Sequence, residues 1–304
     1  MKKESYSRKS KKLLFTTFNC AKSQLIPLQE LRDDRDDELI MALTGLAGGI
    51  LNNGSTCGVV IGGAISSAMI RDKELNGDWT LEDEVQLLEE VRENVLWFEE
   101  EFKTSLCRER DDLNYQRITT LGLLNPKKAK GCVTRSGASM ERFVQKYENA
   151  PPRPKAKADQ PLKKTSHCAK KILEEVRQQT DIGNDKVERV SIALDGGIGL
   201  TGGGCGALSG ALMALGLKYA LNPKNTDPNK LKNVYRAMDS EFFRKAKLLV
   251  NEFIQRFGYL ECARLTGIQF DDWSDFCDFR NRENCAAIND FLVSKTVEII
   301  NLEK

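Results

Sequence analysis

The 304-residue chain carries 46 Lys and Arg against 44 Asp and Glu, a formal net charge of +2, with 40% apolar and 30% charged residues. That composition belongs to a folded, soluble globular protein and excludes a disordered one. A balanced charge without a sustained arginine-rich stripe gives no footprint for nucleic acid.

In chain order, the first feature is a lysine-rich N-terminus, residues 1–12, followed by an apolar stretch at 13–18 that Thr16 and Thr17 interrupt. Without a small-residue cleavage site this reads as a flexible tail entering the first domain, not as a signal peptide. Leu81, Val85, Leu88, Val91, Val95, Phe98 and Phe102 recur at steps of three and four behind Thr80, which predicts a capped amphipathic helix. Glu99, Glu100 and Glu101 on that helix read as a solvated face. Ala150 to Pro154 and the lysine-rich run to Lys164 predict an extended, solvated linker at 149–164. It separates domains at 1–148 and 165–304, each expected to have its own core. Glycine-rich residues 196–206 predict a tight connector feeding a helix over 207–219; a phosphate-binding loop is a further reading, but no Gly-Lys-Ser/Thr follows. Ala246, Leu249, Phe253 and Phe257 continue a helical stripe. The longest weakly polar run, 205–217, is too short to span a bilayer. No alternating strand finds a partner. The expected fold is all-α, two pseudo-symmetric helical-bundle domains from an internal repeat, located in the cytoplasm.

The repeat itself is explicit. At an offset of 148, Cys20-Ala21-Lys22 meets Cys168-Ala169-Lys170, Leu46 meets Leu194, Gly48-Gly49-Ile50 meets Gly196-Gly197-Ile198, and Cys57-Gly58 meets Cys205-Gly206. Seven residues enter the second copy, and at an offset of 155 Phe98, Phe102 and Cys107 meet Phe253, Phe257 and Cys262. Cys132 then pairs with Cys285 in preference to Cys277, because 25 residues separate Cys107 from Cys132 and 23 separate Cys262 from Cys285. Cys132 and Cys285 both precede a helical pattern, and Cys277 is left as a structural or incidental ninth thiol. Two matching sets result: Cys20, Cys57, Cys107 and Cys132, and Cys168, Cys205, Cys262 and Cys285.

Nine cysteines without a signal peptide point to metal ligation or redox chemistry before disulfides. Cys20, Cys57, Cys168, Cys205 and Cys285 fall at expected helix starts, the last capped by Asn284, where N–H groups and the helix dipole favour thiolate. Gly206, Gly210 and Ala214, matched by Gly58, Gly62 and Ser66, make a small-residue face open either to another backbone or to a bulky inorganic group. Three chemistries compete. One is an iron–sulfur cluster on four cysteines per half. The second is a thiol-disulfide oxidoreductase or redox sensor using a subset of them. The third is structural zinc, although no two proposed ligands of a half lie closer than 23 residues, unlike the usual Cys-x-x-Cys knuckle. His167, the only histidine, is a ligand or proton carrier in one reading and a solvated residue before a helix in the other. Nothing resembles a Ser-His-Asp triad or a metal-hydrolase cluster.

The order of one cysteine, a Cys-Gly-Ala-x-x-Gly segment and two further cysteines resembles the redox-active family named for its C-GCAxxG-C-C pattern. The second copy carries it as Cys168, then Cys205-Gly206-Ala207-Leu208-Ser209-Gly210, then Cys262 and Cys285. The first departs, with Cys57-Gly58-Val59-Val60-Ile61-Gly62, but keeps four cysteines. The resemblance implies redox activity. It also implies likeness to the iron–sulfur-associated domain of split-Soret cytochromes, with electron transfer in an anaerobe-type cytoplasm or periplasm. The expected cofactors are two iron–sulfur clusters per chain, 2Fe-2S or 4Fe-4S, held by the eight paired cysteines, and the expected partner is a redox protein. No Cys-x-x-Cys-His occurs, so no covalent haem is expected. Whether copies of the chain associate is left open.

Overall fold

The computed structural model describes residues 4–109, 126–157, 161–282 and 285–302, and these form an all-α fold. The first half contributes α1 (Tyr6–Thr17), α2 (Cys20–Leu31), α3 (Asp37–Ala42), α4 (Gly58–Leu75), α5 (Leu81–Phe102) and α6 (Pro126–Tyr147). The second contributes α7 (Ala169–Thr180), α8 (Asp185–Val190), α9 (Gly206–Tyr219), α10 (Pro228–Ala237) and α11 (Glu241–Phe257). It continues through α12 (Cys262–Thr266), α13 (Trp273–Arg280) and α14 (Ala286–Asn301). Local chemistry sets many of these starts. Thr80 caps α5 through a reciprocal box with Asp83, and Asp36 and Asn184, 148 residues apart, cap α3 and α8 by accepting from the Leu39 and Val187 N–H groups.

The sequence repeat is a repeat of structure. Helices α2, α3, α4, α5 and α6 correspond to α7, α8, α9, α11 and α14. After a short 3-10 turn in each half (Leu43–Leu46, Ser191–Leu194) comes a left-handed turn rather than a plain connector. Residues 48–52 have φ between 49° and 70°, and residues 196–200 between 57° and 78°. Ile50 and Ile198 hold this conformation at about 1–2 kcal/mol each. Both are completely buried, and the turns are closed by Ser55 N–H to Gly49 O (3.0 Å) and Gly203 N–H to Gly197 O (2.8 Å).

The halves share one core, in contrast to the separate cores expected from the linker. A single apolar cluster runs through Leu25, Ile61 and Ile65 of the first half and Ile172, Leu208 and Leu212 of the second. The contacts are reciprocal: α4 packs on α8 and on the second half's 3-10 turn, while α9 packs on α3 and on the first half's. That is the self-complementary pattern of a twofold interface, folded into one chain. A Cβ on Gly216 would stand 2.6 Å from the Met41 carbonyl, and one on Gly199 would stand 2.7 Å from Val91 Cγ1. Arg189 pairs with Asp72 at 2.6 Å across the same seam.

Two further expectations are corrected. The lysine-rich N-terminus is helical from Tyr6, because Ser5 caps it and Ser7 and Ser10 are buried. Ser10 Oγ lies 2.7 Å from Ser136 Oγ of α6. The linker is extended but not solvated at its first end. The Arg153 and Pro154 carbonyls accept from buried Arg71 (3.0 and 2.7 Å), Ala156 N–H donates to Asp83 (2.8 Å), and Arg153 pairs with Glu74 (2.9 Å) and Glu90. Burial pushes the Asp83 and Glu90 carboxyls up. Hydrogen bonds from Ala156, Thr80 and Arg71, and the charges of Arg153 and Lys146, outweigh it and hold both below their usual values.

Candidate functional site

In the second half four helix starts bring four cysteines into one neighbourhood. Cys168, Cys205 and Cys285 occupy the N-caps of α7, α9 and α14, and Cys262 opens α12. Cys262 lies within electrostatic range of Cys168, Cys205 and Cys285 together. A two-stranded clip holds two of them side by side: Cys205 N–H donates to Leu260 O (2.8 Å) and Cys262 N–H to Gly203 O (2.6 Å). The left-handed turn supports this clip from below, since a Cβ on Gly197 would meet Cys262 Cβ at 2.7 Å. It also aims Gly196 N–H at the Cys168 sulfur, while Ala207 and Leu208 N–H groups point at Cys205. Strained backbone of this kind persists where the surroundings over-determine it, as at ligand sites.

The first half repeats the clip atom for atom, with Cys57 N–H to Ser105 O and Cys107 N–H to Ser55 O, both 2.8 Å. Gly48 N–H donates to Cys20 Sγ at 3.4 Å, as Gly196 does to Cys168. Cys132 lies within α6 rather than ahead of it, one turn before Ser136. The Ser136 hydroxyl is 3.1 Å from that of Ser23, on the turn that Cys20 begins. The expected cap Asn284 lies outside the described residues.

Burial reverses the expectation that helix starts would favour thiolate here. It pushes Cys205 up to about 11 despite two backbone donors, and pushes Cys168 and Cys262 up as well. Desolvation outweighs the dipole and favours the protonated thiols. Cys277 is fully buried in the same apolar cluster as Cys168 and Cys262, but its Sγ is turned to the Lys163 carbonyl at 3.6 Å.

Arg280 is the residue that spacing alone missed. It is buried, hydrogen-bonds Cys285, and donates to the Ser166 carbonyl (3.3 Å) and hydroxyl (3.1 Å). Burial acts to lower its pKa, but its neighbours, the Asp195 carboxylate among them, outweigh burial and hold the guanidinium cationic. His167 is neither solvated nor available to a metal. Its Nδ1 meets Asp195 at 2.6 Å and its Nε2 meets Glu84 of the first half at 3.3 Å, and these carboxylates overcome burial to lift it to about 9. Asp195, fully buried, also accepts from Cys168 N–H (2.7 Å) and so locks the start of α7. The apolar wall around the site is built from Phe270, Trp273, Phe276 and Phe279 of the second half and Leu88 of the first.

The glycine face serves helix packing. Cβ atoms on Gly62 and Gly210 would stand 2.2 and 2.6 Å from the carbonyls of Ala21 and Ala169, so the face takes the backbone of α2 or α7 and not an inorganic group. The first glycine of each stripe instead makes room for a candidate cysteine, Gly58 for Cys20 Sγ and Gly206 for Cys168 Cβ.

The family pattern described as "Putative redox-active protein (C_GCAxxG_C_C)" matches residues 18–148 and again 166–299. The chain belongs to this redox-active family. Each C_GCAxxG_C_C match spans one complete set of four cysteines and leaves the linker between them unmatched. No curated protein and no solved structure matches the chain. Among the described residues no helix is long and apolar enough to cross a membrane. Among the same residues no three Cys, His, Asp or Glu side chains are gathered closely enough to hold a metal ion between them. Four thiols with backbone N–H donors and a guanidinium beside them have the donor chemistry that an iron–sulfur cluster uses.

Proposed function

We propose that this protein is an electron-transfer protein with one cysteine-ligated iron–sulfur cluster in each half. Cys20, Cys57, Cys107 and Cys132 hold the first, and Cys168, Cys205, Cys262 and Cys285 the second. The observation that carries the reading is the buried guanidinium of Arg280 set against Cys168 and Cys285. A buried cation beside these sulfurs favours their thiolate forms, and thiolates in that apolar wall need a further positive centre between them.

Such a group would supply reversible one-electron chemistry. The chain's own residues supply the rest. Gly196, Ala207 and Leu208 N–H groups donate to sulfur and Arg280 offsets residual negative charge. The aromatic wall keeps water out, and both His167 nitrogens are engaged by carboxylates, so no proton need accompany the electron. Raised thiol pKa values weigh against thiol-disulfide exchange, which needs a ready thiolate. The reading implies a reducing compartment, the cytoplasm, and a redox protein as partner.

A pair of substitutions tests the ligand set. In anaerobically reconstituted full-length protein, Cys285→Ser is expected to lose half the iron and sulfide, whereas Cys277→Ser keeps all of it. The reverse pattern would overturn the assignment of Cys285.

A further inference from the structure

The two sites are neighbours across the pseudo-twofold seam, and the residues next to their cysteines are joined directly. Gly204 N–H donates to Thr56 Oγ1 at 2.8 Å, and these residues immediately precede Cys205 and Cys57. Arg108 pairs with Glu261 at 2.6 Å, and these sit next to Cys107 and Cys262. Thus each of the two clip cysteines of one half is tied, one residue away, to its counterpart in the other. With consecutive Cα atoms 3.8 Å apart, the hydrogen bond places the Cα atoms of Cys57 and Cys205 within about 14 Å of each other. The connection is dry and tight: Thr56 is 1% exposed, and a Cβ on Gly203 would fall 2.5 Å from Thr56 Oγ1. Only a glycine lets the second strand come so close.

We propose that the two sites act as one electronically coupled pair, with Thr56 as the bridging residue between them. The proposal rests on the iron–sulfur reading of both sites. With a cluster held in each site, one electron from a one-electron donor protein would enter at one site and pass to the other along Cys57, Thr56 Oγ1, Gly204 N–H and Cys205. The donating site is oxidised by one electron and the accepting site reduced by one. No bond forms or breaks and no proton moves. Thr56 is a positioning residue, since it completes a hydrogen-bonded route from the residue before Cys57 to the residue before Cys205.

The test uses the full chain, reconstituted anaerobically and reduced with dithionite. Cys205→Ser with Cys262→Ser supplies the spectrum of the first site alone, and Cys57→Ser with Cys107→Ser that of the second. The fully reduced native protein is expected to show broadened, fast-relaxing paramagnetic resonance signals. A simple sum of the two single-site spectra would overturn the proposal. Iron and sulfide at two equal lots with such a sum defeats the pairing alone, whereas absence of iron and sulfide defeats the underlying reading. For Thr56, the valine variant is expected to keep full iron and sulfide but to slow redistribution of a photo-injected electron at least tenfold, with Thr56→Ser close to native. An unchanged rate in Thr56→Val would remove Thr56 from the route. In protein without metal, the Gly204 amide should be strongly protected from hydrogen exchange in the native chain and lose that protection in Thr56→Val; an unprotected native Gly204 amide would also overturn it.

Discussion

Arg280 carries a full charge into a wall of Trp273, Phe276 and Phe279, where an unpaired guanidinium would be strongly destabilising. It lies beside the sulfurs of Cys168 and Cys285 and the carboxylate of Asp195, and donates to Ser166. Arg280→Met keeps the length of the side chain and removes the charge. It is expected to lower iron and sulfide to about half by emptying the second site, with Arg280→Lys intermediate because an ammonium cannot reproduce the guanidinium's fork. Full retention of metal in Arg280→Met, measured per chain, would contradict the role given to this residue. The cysteines were legible in the sequence because a doubled pattern of rare residues leaves few alternatives. Arg280, Asp195 and the buried pairing of His167 were not. The first half has Asn19 and Ala47 where the second has His167 and Asp195, so the repeat gave no hint of them. The balance between helix dipole and burial at each thiol likewise depends on what packs overhead.

At the level of elements, the glycine face was legible as a close approach, but its occupant was not. Four-residue spacing says that something comes near and leaves its identity open. The occupants are the backbones of α2 and α7, which carry Cys20 and Cys168. Gly210→Leu therefore drives the Ala169 carbonyl away and takes Cys168 with it. A loss of second-site metal is expected, with destabilisation of about 1–3 kcal/mol as in other overpacked cores. Unchanged metal content and an unchanged denaturation midpoint would show that α7 does not pack there. The linker makes a second case. Its composition reads as a solvated strap, and only the partner side chains show that it is fastened. Asp83 and Glu90 have lowered folded-state pKa values, so their contribution is present above the ordinary range near 3.8 and 4.5 and is lost as pH falls through the lowered values. Thermal stability should hold between pH 7 and 5 and drop steeply below about pH 4, following these two groups. Asp83→Asn should reproduce the loosening at neutral pH as faster tryptic cutting at Lys155 and Lys157. Equal cutting in both proteins would mean that the strap is held elsewhere.

On the scale of the whole molecule, the repeat was legible but the interlock was not. Two matching segments and a polar linker are equally consistent with beads on a string and with a closed twofold unit. The decision comes from Gly216 against Met41 and Gly199 against Val91, contacts without sequence periodicity. Because both halves complete one core, denaturant unfolding of the metal-free chain is expected to be a single transition by fluorescence and by circular dichroism. Residues 165–304 expressed alone should not fold, having lost the wall that Leu88 and Val91 provide and the Glu84 partner of His167. Two separate transitions, or a cooperative isolated half, would restore the picture of independent domains.

The central claim is that two four-cysteine sites hold iron–sulfur clusters, and metal analysis of protein purified without oxygen tests it most directly. Brown protein with iron and acid-labile sulfide in two equal lots, one lost in Cys285→Ser and the other in Cys107→Ser, is the predicted result. Colourless protein that carries stoichiometric zinc and takes up no iron or sulfide on anaerobic reconstitution would contradict it.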